Sequence, residues 1–97
     1  IIPNGIQQLT KDKEMIQNYP NPFTHETKIK YSIRETSDVV LNIYSLDNRL
    51  IFNTNRNNQS SGDYVIDYKP IDLNPGVYVY QLQTKNKLFT GKMIKSQ

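Results

Sequence analysis

His25 is the only histidine in the sequence, so it is the one candidate for an imidazole base or metal ligand. It stands between Thr24 and Glu26, just after two prolines. A catalytic triad needs a base held by an acid beside a nucleophile. Cysteine is absent, and His25 reads as an exposed loop residue. A zinc centre needs three or four His, Cys or carboxylate ligands, which one histidine cannot lead. Asp47, Asn48, Asp63, Asp67 and Asp72 lack the spacing of an EF-hand calcium loop and the bidentate Glu that closes it. They read as turn formers. A calcium ion held in a loop between strands stays compatible with this pattern.

Tyrosines offer a second kind of chemistry. Tyr78 and Tyr80 are two apart, hence on one face of a strand, and Tyr64 and Tyr68 lie in another strand. Such rings could stack on sugars or on single-stranded bases. They could equally fill a core, and the core reading is the stronger one. Asn58-Gln59-Ser60 matches the N-glycosylation sequon, which chance produces readily in a chain with 11 asparagines. No glycine-rich phosphate loop, carboxylate pair or nucleophile elbow is present. The residues point to a non-enzymatic module with no catalytic, cofactor or metal site.

The elements that would position these residues are strands. Alanine, the best helix former, is absent, while 11 Ile, 5 Val, 7 Thr and 7 Tyr favour a pleated surface. The 97 residues fit one domain. Net charge is +3, and the lysines are scattered rather than gathered into the dense basic face that nucleic acid requires. No apolar run approaches the length of a membrane-spanning helix. The N-terminus does not read as a signal peptide. The chain does not begin with Met, which predicts a piece of a longer protein.

Residues 1–14 carry little pattern and read as a linker, with a short first strand at Met15-Ile16-Gln17. In Tyr19-Pro20-Asn21-Pro22-Phe23 the prolines remove two backbone donors and push Tyr19 and Asn21 away from helical angles. This predicts a stiff extended turn anchored by the aromatic rings of Tyr19 and Phe23. Lys28 to Arg34 and Val39 to Leu46 alternate as half-buried strands. Asp47-Asn48 predicts a two-residue type I′ hairpin, since both residue types tolerate positive φ. Residues 53–63 have no apolar side chain and read as a polar loop. Tyr64 to Tyr68, Gly76 to Thr84 and Leu88 to Ile94 complete six or seven strands, the pattern of a small sandwich.

Three segments in order resemble a known family. They are Asn18 to Phe23 with Thr27 to Ile33, then Val40 to Ile51, then Leu73 to Leu82 closed by Lys92-Met93-Ile94-Lys95. Together they resemble the type A C-terminal sorting domain of the type IX (Por) secretion system. Asn48 stands where that family usually has Gly, and Asn is the next-best residue for a left-handed position. Flagellar-hook-capping Ig-like domains share part of the pattern. A carbohydrate-binding or adhesive β-sandwich remains the alternative function.

The resemblance implies an all-β fold, an Ig-like antiparallel β-sandwich of about seven short strands in two sheets. It implies a signal domain at residues 15–97 that directs an upstream cargo of the same chain across the outer membrane of a Gram-negative cell. The implied partners are the type IX translocon and a surface sortase-like peptidase. The implied route runs through the periplasm to the cell surface or beyond. Cleavage would fall in residues 1–14, where an unpatterned linker suits a protease. Recognition by the translocon is assigned to Lys92, Met93, Ile94 and Lys95 with Gly76, Tyr78 and Tyr80 of the neighbouring strand, and an exposed terminal strand could receive a receptor by strand addition. Tyr19, Pro20, Asn21, Pro22, Phe23, Asp47 and Asn48 are assigned structural roles.

Overall fold

A computed structural model describes residues 15–97, and the expected linker and cleavage region at 1–14 lies outside the described residues. Seven strands follow one another: β1 (Met15–Tyr19), β2 (Thr27–Ile33), β3 (Ser37–Ser45), β4 (Leu50–Gln59), β5 (Gly62–Tyr68), β6 (Gly76–Gln83) and β7 (Leu88–Lys95). They form two antiparallel sheets, one ordered β1-β2-β5 and the other β4-β3-β6-β7. The all-β sandwich expected from the sequence is the observed fold.

Period-two burial sorts the side chains. In β2, Ile29, Tyr31 and Ile33 point inward; in β3, Val39, Leu41 and Ile43; in β6, Tyr78, Tyr80 and Leu82. Phe23, Ile66, Tyr68 and Met93 complete one core between the sheets. Tyr31 stacks on Tyr64 with ring centroids 5.4 Å apart. The Tyr31 hydroxyl donates to the Gln59 side chain, and burial raises its pKa. Burial likewise raises the pKa of Tyr68 and Tyr80.

Three local expectations need correction. The polar stretch at 53–63 is mostly strand: β4 runs through Gln59, and only Ser60 and Ser61 separate it from β5. β4 is an edge strand, so its polarity does not prevent pairing; β3 supplies the ladder partners from Ser37 to Tyr44. Tyr19 is not a buried anchor: it is 70% exposed, whereas Phe23, at the other end of the turn, is 1% exposed. The β3–β4 connection is not a two-residue turn. Ser45 N–H donates to Arg49 O at 3.0 Å and Asn48 N–H to Ser45 O at 3.0 Å, which encloses three residues with only Asn48 at positive φ, 65°. That is the hairpin in which a turn is followed by one left-handed residue. The Ser45 hydroxyl donates to Asp47, and this bond lowers the Asp47 pKa.

Candidate functional site

Residues 18–24 and 92–96 meet, although more than seventy positions separate their hydrogen-bonded pairs. Pro20 and Pro22 cannot donate backbone hydrogen bonds, so this segment cannot extend the sheet as a regular strand. The Asn21 side chain supplies what the backbone lacks. Its Nδ2 donates to Lys92 O at 3.1 Å, and its Oδ1 accepts from Ile94 N–H at 2.9 Å. A carboxamide has the donor and acceptor of a peptide group, so Asn21 pairs with the outer edge of β7 as a strand residue would. Its Nδ2 also lies 3.3 Å from Asn18 Oδ1.

The pairing continues through backbone. Phe23 N–H donates to Ile94 O at 2.9 Å, and Ser96 N–H donates to Phe23 O at 2.8 Å. The Ser96 hydroxyl reaches Phe23 O at 3.2 Å and lies 3.3 Å from Thr24 Oγ1. Behind this joint, buried Thr27 donates through Oγ1 to Pro20 O at 2.9 Å and accepts from Asn18 Nδ2 at 3.3 Å. The proline turn is thus fixed from β1 and β2 on one side and grips β7 on the other.

The residues assigned to recognition divide by face. Met93 is fully buried, and Tyr78 and Tyr80 belong to the core, so their side chains are not displayed to a partner. Tyr78 donates its hydroxyl to Asn74 O at 2.6 Å. Lys92 and Ile94 point outward, and Lys95 is half-buried with its ammonium on Ser96 O at 2.8 Å. Gly76 pairs with Lys95 at φ 152°, a backbone region that favours glycine. The free terminal edge expected for strand addition is occupied from Lys92 to Ser96 by Asn21 and Phe23. A receptor strand could pair there only after displacing them.

The tyrosine platform is likewise not a surface. Tyr68, Tyr78 and Tyr80 are core residues, and Tyr64 is half-buried beside Tyr31. His25 is exposed, and among the described residues no three His, Cys, Asp or Glu side chains gather as a metal site. The role of Asn21 was invisible in sequence because its partners are so distant. The one available signal was its place between two prolines, whose missing N–H groups leave the backbone and side chain of Asn21 as the donors of that stretch.

Asn21→Ala removes two bonds to an exposed edge that water can still reach. The expected loss is about 1 kcal/mol in urea unfolding. Faster exchange of the Ile94 amide should accompany it. Unchanged protection of that amide would contradict the role given to Asn21.

The family model described as a secretion system C-terminal sorting domain matches residues 17–96. No curated protein matches the chain. The matched span runs from β1 to Ser96, so it contains both halves of the joint. That family is one of sorting signals, not of enzymes. A sequence-wide family match on a two-sheet fold closed through its own proline turn places the chain among the C-terminal sorting domains of type IX secretion, the family to which it belongs.

Proposed function

We propose that the type IX machinery reads this domain as a folded surface and that a surface sortase-like peptidase then separates it from its cargo within residues 1–14. The observation that carries the first part is the double attachment of the last strand. β7 is bonded to β6 along one edge and to Asn21 and Phe23 along the other, and the following Ser96 is bonded to Phe23 and Thr24. A receptor that needed residues 92–96 as an extended peptide would have to break this joint first. The domain travels with an upstream cargo through the periplasm and is read at the outer membrane. Support for the second part is compositional: residues 1–14 lack strand alternation and suit a protease.

The test is a reporter fused to residues 1–97 in a type IX secretor. Export to the medium or cell surface is the expected result, and removal of residues 92–97 should leave the reporter in the periplasm. Export undiminished by that truncation would refute reading as a folded surface. Intact mass of the exported reporter should place the cut before Met15; a cut after it would refute the peptidase assignment.

A further inference from the structure

The two outer faces of the sandwich differ in chemistry. On the three-stranded sheet, Lys28 pairs with Asp67 at 2.8 Å, and Ser32 donates to Asp63 at 2.6 Å. This hydrogen bond and charge pairing raise the Lys28 pKa and lower that of Asp67. That face is charged, paired and solvated.

The four-stranded sheet presents something else near the β3–β4 hairpin. Register sets Leu50 opposite Tyr44, Tyr44 opposite Val79, and Val79 opposite Lys92. In the adjacent row Val77 lies opposite Ile94. Leu46, which follows β3, is 68% exposed and lines a shallow notch of about 160 Å³ with Tyr44 and Val79. Six apolar side chains therefore share two neighbouring rows of one sheet face, with Tyr44, Val77 and Val79 half-buried. Leu50 and Ile94 are also exposed. A contiguous apolar patch of this kind marks an interaction surface rather than a solvated one.

Charge decides the partner. Within these rows Lys92 is the one charged side chain, and it takes part in none of the three ion pairs among the described residues. The geometry points to this face as the docking surface for a protein of the export machinery that offers apolar side chains and a carboxylate set opposite Lys92. Apolar contact would supply the area, and the buried lysine–carboxylate pair would set orientation and exclude partners without the acid. This inference rests on the domain being the sorting signal, and it locates where that signal is read.

The experiment uses the full 97-residue fusion, with the thermal midpoint of each variant recorded. Val79→Glu sets an acid between Tyr44 and Lys92. Export should fall at least tenfold while the midpoint stays close to the parent's. Lys92→Glu, on a solvent-facing side chain, should reduce export more than Lys92→Ala. Val65→Glu, on the opposite charged face, should export normally. Normal export of a folded Val79→Glu or Lys92→Glu fusion overturns the proposal. So does an equal loss with Val65→Glu. So would co-sedimentation of the parent domain with phosphatidylglycerol vesicles that Val79→Glu abolishes, because the occupant would then be lipid. Failure of the parent fusion itself would instead refute the sorting function.

Discussion

Phe23→Ala is expected to cost about 3–5 kcal/mol in urea unfolding, the range for truncating a buried phenylalanine. The ring is 1% exposed and meets Tyr68 edge-on, with centroids 6.3 Å apart. It sits on a turn rather than in a strand, so neighbouring strands cannot slide to fill the void. Its own N–H and C=O also hold Ile94 and Ser96. Loss of the ring loosens the turn that closes the edge of β7. A domain of this size has about 5–15 kcal/mol in total, so the variant would be near the limit of folding. Tyr19→Ala is the matched comparison, expected within about 0.5 kcal/mol of the parent because that ring is exposed. Similar costs for the two would mean that the turn is not anchored from the Phe23 end.

Gly91→Val is expected to be damaging by the opposite mechanism. Gly91 lies across from Tyr80, and the Tyr80 ring occupies the space that a Cβ at position 91 would need. The clash involves ring carbons and the hydroxyl, not the end of a flexible chain. Tyr80 is 5% exposed, so the ring has no free volume to enter. Overpacking of this kind costs about 1–3 kcal/mol, and a β-branched residue should reach the top of that range. Tyr80→Ala should be destabilising alone, yet it removes the obstacle. The double variant should therefore be more stable than the sum of the two losses predicts, by about 1 kcal/mol or more. Strict additivity would show that the ring is not what excludes a side chain at 91.

What the sequence made legible follows from the range of the forces involved. β2, β3 and β6 were readable because one buried face imposes alternation on Ile29-Tyr31-Ile33, Val39-Leu41-Ile43 and Tyr78-Tyr80-Leu82. β4 was not. An edge strand satisfies its backbone through one neighbour and leaves much of its surface wet, so Asn53, Asn55, Asn57 and Asn58 carry no hydrophobic signal. Tyr19 and Phe23 looked equivalent because both flank the prolines; their burial is decided by tertiary packing. Asn48 takes the left-handed conformation that its residue type tolerates, but the hairpin length depends on bonds made by Ser45 and Arg49. For the candidate site, residues 92–95 were identified by resemblance. Their division into Met93 inside and Lys92 and Ile94 outside came only with the fold.

The joint between Asn21 and β7 also imposes an order in time. Its partners are 71 and 73 residues apart, so the contacts that close the sandwich are among the most distant in the sequence. Contacts of such separation form late, because loop closure must precede any gain. A ribosome that stalls before residue 92 leaves a chain without the second half of β7 and without the covered edge. Such a chain has no finished sandwich to present, however intact its upstream part. The geometry thus makes a finished sandwich a record that synthesis has passed residue 96.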